Sequence, residues 1–436
     1  MRPAAGRDRV LLLMPTTTYR AEDFLEAARR MDVEVAIASD RCEVLAVDSP
    51  EAARGALPLR FEDPDAAARA IVEAARARPF AAVVPVDDAT TVIAAKASEA
   101  LGLKHNPIEA VLAARDKRRL RRALAAAGLP CPRFRVFPIA VDPHAAALEV
   151  SHYPVVLKPA ALSASQGVIR ADDPAGFAAA FERIARLLRT PEIAVRRDPA
   201  LEWIIAEEYI PGAEVALEGM LRGGELRVLA LFDKPDPLEG PFFEETIYVT
   251  PSRLEAADQA ALAGAAASAA RALGLREGPI HAELRLNARG PWLIEIAARS
   301  IGGLCSRTLR FGAGVSLEEL ILAHALGRDA PLESERERRP AGVMMIPIPR
   351  AGLLRGVSGI DEARAVPGIE AVTITQKVGT GVVPLPEGAG YLGFIFARAE
   401  TPAAVEAALR EAHRRLRFQI AASLSAVDVR RPREVR

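Results

Sequence analysis

Two glutamates face each other across a predicted β-hairpin in the second half of the chain. Residues 279–301 alternate between apolar and polar side chains, turn at residues 287–291, and then alternate again. Such a hairpin places Glu283 opposite Glu295. Directly opposed carboxylates destabilise a sheet unless a cation lies between them. Since oxygen ligands suit Mg²⁺ that also holds phosphates, we interpret the pair as the metal end of an ATP site. The alternative is two exposed strand glutamates without a ligand.

The composition is that of an ordinary globular protein. The chain has 436 residues, 50% hydrophobic and 26% charged, which is enough for two or three domains. Lys+Arg and Asp+Glu number 57 each, so no net charge attracts nucleic acid or an anionic membrane. The cysteines (Cys42, Cys131 and Cys305) lack CxxC spacing, which favours a reduced, cytoplasmic setting. The apolar stretch 10–14 is too short to span a bilayer and indicates a buried first strand.

The first 115 residues predict a parallel α/β domain, because short apolar segments alternate there with helix-like segments. The predicted strands are residues 9–14, 33–38 and 81–86, and the predicted helices are residues 20–30, 64–78 and 89–101. The first turn, at residues 15–19, lacks the glycines that a dinucleotide pyrophosphate needs for close approach. A NAD-binding role is therefore not expected.

The remaining residues predict a split α+β domain followed by a small C-terminal domain. The α+β domain covers residues 116–326, with a lid part at about 116–206 and a larger part at about 207–326. Residues 327–340 are charged and bounded by proline, which indicates a surface linker, and residues 341–436 predict a small α+β domain. The strands expected in the split domain are residues 154–158, 203–209, 213–220, 225–233 and 245–250, ahead of the glutamate hairpin.

A strand that ends in Lys158 is followed by the loop 163–168, which consists largely of small residues. Small residues let backbone N–H groups close around phosphate oxygens, and the lysine adds a positive charge. The alternative is a solvent-facing lysine and an ordinary turn. No GxxxxGK[ST] motif occurs, so a P-loop is excluded. Lys117 lies at the start of a predicted helix, where a basic run extending to Arg122 fits a solvated helix face.

A second apolar strand ends in two glutamates, Glu207 and Glu208, and Glu214 begins the next strand after a Pro-Gly turn. Adenine needs backbone donors and acceptors beside apolar walls, and ribose hydroxyls suit a carboxylate. Acidic residues are also common at strand ends, which leaves a structural role open. The loop 233–245 is rich in proline, aromatic rings and charge, and either walls a pocket or forms a rigid hairpin tip. The GxGxxG match at 388–393 precedes a strand, so it is not a dinucleotide motif.

Taken in order, these motifs resemble the ATP-grasp superfamily over residues 116–326. The resemblance rests on Lys117, the LKP lysine, the small-residue loop, the EEYI strand end with Glu214, and the paired glutamates followed by Arg299. Within the superfamily the chain is most similar to the L-amino acid ligases (dipeptide synthetases) and kindred carboxylate–amine ligases. The segments DKPDPLEGPFFEETIYVTPS, IEIAARSIGG and GVMMIPIP carry this closer similarity.

The resemblance implies an ATP site, a metal site and a substrate site. The residues it places at ATP are Lys117, Lys158, Ser165, Gln166, Gly167, Glu207, Glu208, Ile210 and Glu214. It implies that Glu283 and Glu295 hold two Mg²⁺ ions, for which Mn²⁺ could substitute, and that Arg299 and Lys158 are catalytic. The substrate residues it suggests are Glu245, His281, Arg299, Gly302 and Gly303, with the two glycines leaving room for a bulky first substrate. Ala297 stands where many ATP-grasp enzymes have a metal-binding asparagine.

The function that the resemblance implies is an ATP-dependent ligase that joins a carboxylate to an amine, with amino acids as the expected substrates. An acyl phosphate would form first, and ADP and phosphate would be released. Three alternatives stay open at this point. They are a ligase or carboxylase acting on a different carboxylate, a nucleotide-binding module without turnover, and, more remotely, a protein-binding scaffold. A homodimer is an expectation from the fold class alone.

Overall fold

The computed structural model describes residues 7–16, 18–40, 56–328 and 335–422. Within these ranges the strands form four sheets. The N-terminal sheet is parallel, and the other three are antiparallel. Parts of the expected linker and of the expected last domain lie outside the described residues, as does Cys42. None of the helices in these ranges combines the length and the apolar character needed to cross a bilayer.

The N-terminal region is a parallel α/β unit, as the sequence predicts. Its strands are β1 (Arg9–Leu13), β2 (Glu34–Ser39), β3 (Leu57–Pro58) and β4 (Ala82–Pro85), in the order β3-β2-β1-β4. Its helices are α1 (Ala21–Arg30), α2 (Pro64–Ala77) and α3 (Asp88–Leu101). The strands and helices predicted for this region are confirmed. The apolar runs of the strands are buried, as expected for a parallel sheet covered by helices.

A small lid follows the first unit. It begins with α4 (Ile108–Arg115) and α5 (Lys117–Ala126), which precede β5 (Phe134–Pro138), α6 (Pro143–Leu148), β6 (Val155–Pro159) and β7 (Ile169–Ala171). It ends with α7 (Pro174–Leu188), α8 (Pro191–Ala194), a 3₁₀ turn (Pro199–Glu202) and β8 (Trp203–Glu208). The sheet order is β5-β8-β6-β7. Aromatic rings of Phe137, Phe177 and Phe181 pack against one another beneath it.

An eight-stranded antiparallel sheet forms the centre of the molecule. Its first five strands are β9 (Ala213–Arg222), β10 (Glu225–Asp233), β11 (Ile247–Thr250), β12 (Gly278–Asn287) and β13 (Gly290–Ala297). Two helices belong to this part of the chain, α9 (Ala256–Leu273) and α10 (Leu317–Ala325), with a 3₁₀ turn at Cys305–Thr308. The long helix α9 buries its apolar face against β9, β12 and β13, which places the glutamate hairpin on a rigid support.

The C-terminal region continues this central sheet. Its elements are β14 (Ala341–Ile346), β15 (Gly352–Ser358), α11 (Ile360–Arg364), β16 (Ile369–Ile374), β17 (Gly381–Val382), β18 (Gly393–Arg398), α12 (Pro402–Arg415) and β19 (Arg417–Ala421). The full order of the sheet is β13-β12-β9-β10-β11-β14-β18-β16, whereas β17, β15 and β19 pair separately. The expected α+β content is present, but the sheet runs across the expected boundary because β11 pairs with β14.

One hydrophobic core joins the N-terminal unit to the central sheet. Leu12 and Phe24 from the first unit, Phe232 from β10 and Phe394 from β18 all lie in it, and each is almost fully buried. Tyr19 packs edge-on against Phe394 with ring centroids 5.5 Å apart. Shared apolar burial of this kind fixes the carboxyl ends of the parallel strands against the central sheet.

The lid core generates a stability prediction. Phe181→Ala removes a fully buried ring from it, and we expect the free energy of unfolding to fall by about 3–5 kcal/mol because of lost burial and a residual cavity. Urea unfolding followed by the fluorescence of Trp203, which packs on this core, measures the change in a Trp292→Phe background. The matched control is Leu148→Ala, since Leu148 is 86% exposed. Equal unfolding curves for the two variants would contradict the packing described.

Candidate active site

The hairpin of β12 and β13 pairs Glu283 with Glu295, as the sequence predicts. Its connection is shorter than expected, because Asn287 already pairs with Gly290. A register shift after Glu283 restores the pairing of the two glutamates despite the shorter turn. Directly paired residues project from the same face of a sheet, so both carboxylates leave neighbouring strands side by side.

Glu295 meets a lysine from the lid. Lys117 Nζ lies 3.4 Å from Glu295 Oε2 and donates to the carbonyl of Leu162 at 2.7 Å. The lysine is the first residue of α5, whose N-cap Asp116 accepts from the N–H of Arg118 at 2.9 Å. Its side chain is buried, so the solvated helix face expected from the sequence is wrong at this position. Lys117 thus joins the hairpin to the start of the small-residue loop.

Lys158 and Glu207 form a buried ion pair with Arg121. Lys158 Nζ lies 2.8 Å from Glu207 Oε2, and Arg121 Nε lies 2.8 Å from Glu207 Oε1. Arg121 also donates to the carbonyls of Leu293 at 3.2 Å and Ile294 at 2.7 Å. Burial alone would raise the pKa of Glu207, but the two cations outweigh it and lower the pKa to about 2. Both oxygens of the carboxylate are therefore held by cations from other elements.

The small-residue loop after β6 touches the C-terminal region. Ala164 and Ser165 have φ of 56° and 54°, a backbone conformation that small or polar residues tolerate best. The N–H of Gly167 donates to the carbonyl of Pro386 at 2.8 Å, and Gln166 Nε2 donates to the carbonyl of Glu387 at 2.6 Å. These bonds place the expected phosphate-binding loop against residues 386–387.

The strand end expected to bind adenine and ribose has contacts of its own. Glu208 lies 3.1 Å from Arg133 at the surface, and its N–H donates to the carbonyl of the same residue. The carbonyl of Ile210 accepts from Arg285 Nη1 at 2.8 Å. Glu214 accepts from Arg285 Nε at 2.7 Å. The adenine and ribose assignments stay predictions, and the structure adds Arg285 as the residue that fixes this corner.

Three carboxylates converge on Lys234. Glu214, Glu245 and Glu283 place oxygen atoms within 4.8 Å of one another. Lys234 Nζ lies 2.8 Å from Glu214 and 3.6 Å from Glu283, and it also contacts Glu245. Burial alone would lower the pKa of Lys234, but the three carboxylates raise it above its ordinary value. The same Lys234 is almost completely buried, with a side-chain exposure of 3%.

Three cations offset the charge of this acidic cluster: Lys234 contacts all three carboxylates, Arg285 bonds Glu214, and His281 lies beside Glu283. Burial and the Glu283 carboxylate raise the pKa of Glu245 to about 7. Glu283 itself has a lowered pKa, because Lys234 and His281 outweigh the effect of burial. Carboxylate oxygens are the donors that Mg²⁺ prefers, so the residues present fit a divalent cation. Among the described residues, the carboxylates close enough to share one ion are those of Glu214, Glu245 and Glu283. Glu295 is not one of them, and its charged partner is Lys117.

His281 links the hairpin to the segment after it. Its Nε2 lies 3.6 Å from Glu283 Oε1, and its Nδ1 lies 3.2 Å from Glu218 Oε2. The same oxygen of Glu218 accepts from the N–H of Ile301 at 2.9 Å. Burial would lower the pKa of His281, but the two carboxylates raise it to about 9. The imidazole is therefore charged at neutral pH and connects two buried carboxylates, and its expected contact with substrate stays a prediction.

Arg299 lies at the junction with the N-terminal unit. Its Nη2 donates to Asp88 Oδ2 at 2.7 Å, and its Nη1 donates to the carbonyl of Ser300 at 2.8 Å. Burial would lower the pKa of Arg299, but Asp88 raises it, so the guanidinium stays charged. Arg299 follows Glu295 by four positions, which lets a strand hold the first side chain and the following bend direct the second.

The space expected beside the two glycines is partly filled. A methyl group added at Gly303 would lie 2.9 Å from the ring of Phe394, whereas the expected room for a bulky substrate stays a prediction. At Gly302 the nearest atom is Arg299 Nη1 at 3.9 Å, an ordinary contact distance. Ala297 is buried opposite His281, which places an apolar methyl where an asparagine could have supplied a metal ligand.

Sequence reasoning missed the partners of the expected residues. The basic run predicts a solvated helix face that includes Arg121, and the sequence assigns no role to Lys234 or Asp88. A signal existed for Arg121, because it follows Lys117 by four residues and so shares its helix face. Neither Lys234 nor Asp88 has such a signal, since their partners are distant in the sequence.

Comparisons with known proteins agree with this geometry. Residues 25–105 match the ATP-grasp N-terminal domain, residues 151–308 match the ATP-grasp domain, and residues 344–421 match the L-amino acid ligase C-terminal domain 2. Together the three matches extend over the N-terminal unit, most of the lid and central sheet, and the C-terminal region.

Two curated relatives are ligases. The alanine–anticapsin ligase of Bacillus subtilis (strain 168) is 31% identical over 255 residues, which cover 55% of this chain and 52% of that protein. A D-alanine–D-alanine ligase of Aromatoleum aromaticum is 32% identical over 186 residues, which cover 42% of this chain and 55% of that protein. The chain thus spans about half the length of each of these relatives.

A solved structure extends the similarity to nearly the whole chain. The L-amino acid ligase from Bacillus licheniformis superposes with a TM-score of 0.79 at 28% identity, covering 96% of this chain and 100% of that chain. The parallel N-terminal sheet, the antiparallel lid and the central sheet are thereby the parts of an ATP-grasp fold. The chain belongs to the ATP-grasp superfamily, with ATP-grasp domains joined to a C-terminal domain of the L-amino acid ligase type.

Proposed function

We propose that this protein is an ATP-dependent carboxylate–amine ligase that joins two amino acids through an acyl phosphate. One observation carries the proposal. The paired glutamates of the hairpin lie side by side, Lys117 contacts Glu295, and Glu283, Lys158 and Arg299 are each held by a charged partner. The full set suits phosphoryl transfer to a carboxylate followed by attack of an amine, whereas nucleotide binding alone does not require Arg299.

The lid is the part suited to the nucleotide. Lys117 and Lys158 would approach the phosphates, and the loop carrying Ser165, Gln166 and Gly167 would close over them. The strand end at Glu208 and Ile210 would bind adenine through its backbone, with Glu214 at the ribose. Glu207 would act chiefly by holding Lys158 in place, since its oxygens already accept from Lys158 and Arg121. Phosphoryl transfer depends on such positioned charges more than on covalent help.

The hairpin is the part suited to magnesium. Glu283 and Glu295 would hold the ion or ions, with Mn²⁺ as a substitute, and Glu245 adds a third carboxylate nearby. A bound divalent cation would offset charge on the phosphate oxygens. The two ions implied by the resemblance would both bind if Glu295 and the cluster around Lys234 each take one.

Arg299 is the part suited to the reacting carboxyl group. Its planar fork matches the oxygen atoms of a carboxylate or a phosphate, and its charge is secured by Asp88. It would therefore steady the acyl phosphate and the tetrahedral species that the amine forms from it. The loop from Lys234 to Glu245 would border the substrate, with Glu245 facing the amino group of the first amino acid.

The first test is a screen for phosphate released by MgATP with pairs of L-amino acids. The product should have the mass of the two amino acids less one water. Carboxylates that are not amino acids form the comparison set, since activity only with these would show a ligase of another specificity. No phosphate release with any acid and amine, despite binding of MgATP, would show a nucleotide-binding module instead.

Glu295→Ala should abolish release of ADP and phosphate with the best amino acid pair. The hairpin loses one of its two paired carboxylates, and Lys117 loses its partner 3.4 Å away. Calorimetric titration should show a parallel loss of Mg²⁺-dependent ATP binding. Glu225→Ala is the control, because Glu225 lies exposed at the end of β10 in the same sheet. Undiminished turnover in Glu295→Ala would remove the metal assignment.

Glu207→Gln should destabilise the fold by about 3–5 kcal/mol, because two buried cations lose their shared counter-charge. Its neighbour provides the control. Glu208→Gln breaks an ion pair with Arg133, which is 65% exposed, so a change of about 0–1 kcal/mol is expected. Chemical unfolding at neutral pH compares the two variants. A smaller loss for Glu207→Gln than for Glu208→Gln would contradict the buried triad.

A further inference from the structure

The segment Arg299–Ser300 is held from the N-terminal unit by two residues of opposite charge. Asp88 Oδ2 accepts from Arg299 Nη2 at 2.7 Å. Arg20 Nη1 donates to Ser300 Oγ at 2.7 Å, while Arg20 Nη2 donates to Glu318 at 2.7 Å. Arg20 is 1% exposed, so its bond to Ser300 is shielded from water. Two consecutive residues of the central domain thus depend on the first domain for their side-chain contacts.

Asp88 is itself fixed in position. It is the first residue of α3, just after the carboxyl end of β4, and its carbonyl accepts from the hydroxyl of Thr91 at 2.9 Å. The helix buries Ile93 and Ala97 in the core of the first domain. An acidic side chain in the first turn also interacts favourably with the helix dipole. The carboxylate of Asp88 is therefore presented on a rigid element, as a positioning group requires.

The geometry of Arg299 shows what Asp88 controls. The guanidinium has one Nη bonded to Asp88 and the other bonded to the carbonyl of Ser300, while Nε is buried without a hydrogen-bond partner among the described residues. Bonds from both Nη atoms to different acceptors restrict the rotation of the planar group. Without Asp88, only the bond to the adjacent carbonyl would remain, and the long side chain could rotate about it.

We infer that Asp88 is a positioning residue for Arg299, so that the N-terminal domain completes the site of amide formation. The inference rests on the proposed function, because it assigns Asp88 a role through the arginine expected to steady the acyl phosphate. The carboxylate sets the guanidinium in the orientation that the reacting carboxyl group needs. A displaced arginine leaves ATP binding intact, since Arg299 is not among the residues proposed to contact the nucleotide, but slows chemistry and exposes the acyl phosphate to water.

The alternative is that Asp88 only docks the first domain onto the central one. Besides Arg20–Glu318, further ion pairs join these domains without contacting Arg299. Arg307 Nη2 lies 2.9 Å from Asp23 Oδ1, and Arg328 Nη2 lies 2.6 Å from Asp8 Oδ2. Asp23→Asn therefore breaks a contact between the same two domains, by the same chemical change, without touching Arg299. It is the matched control for Asp88→Asn.

The experiment measures kcat, KM for ATP, and the number of phosphates released per amide formed. It uses the full chain with the amino acid pair found by the screen. For Asp88→Asn we expect kcat to fall by about 10²-fold, as for a misplacement of about 1 Å. KM for ATP should stay within about twofold, and more than one phosphate should be released per amide. Asp88→Glu should recover part of kcat, while Asp23→Asn should match the unsubstituted protein in all three quantities.

Three results would overturn the inference. Asp88→Asn with unchanged kcat and one phosphate per amide would show that Arg299 needs no such support. An equal loss in Asp23→Asn would show that docking alone is responsible. Both results leave the proposed function standing, because the unsubstituted protein is active in each. If that protein releases no phosphate with any amino acid pair, the proposed function fails, and the role of Asp88 fails with it.

Discussion

The pairing of buried charges from separate elements is the constraint on which the rest of this structure depends. Glu207, Glu214 and Glu283 are largely buried, and an isolated buried carboxylate would cost several kcal/mol. Each one meets a cation from another element, such as Lys158 for Glu207 and Lys234 for both of the others. The carboxylates are therefore compensated only in the folded arrangement that brings these cations beside them.

This requirement explains why the site binds the domains together. Ion pairs of this kind add little net stability over apolar contacts, but breaking one leaves an unpaired charge and is costly. Hydrophobic burial supplies the main driving force, seen in the shared core of Leu12, Phe232 and Phe394. The charged pairs then select one arrangement among those that the core would permit. Precision at Arg299 and Lys158 follows from this selection.

Sequence reasoning predicted the elements well and the partners poorly. The facing glutamates were recoverable because alternation along β12 and β13 fixes which side chains share a face. The parallel N-terminal sheet was recoverable from its short apolar runs. Lys234 and Asp88 were not, because a charged residue in a loop or at a helix start looks the same whether it is solvated or paired with a distant carboxylate. The continuity of the central sheet was missed for a related reason, since β11 and β14 are separated by two helices, a hairpin and a linker.

Arg121 connects the lid to the strand that carries Glu295. Its guanidinium holds Glu207, the partner of Lys158, and donates to the carbonyls of Leu293 and Ile294 just before Glu295. One buried side chain therefore fixes both Lys158 in the lid and the strand that carries Glu295. Because a fully buried arginine has few alternative positions, movement of the hairpin would disturb Lys158, and movement of Lys158 would disturb the hairpin. The separation between Lys158 and the paired glutamates is thus set by contacts within the protein.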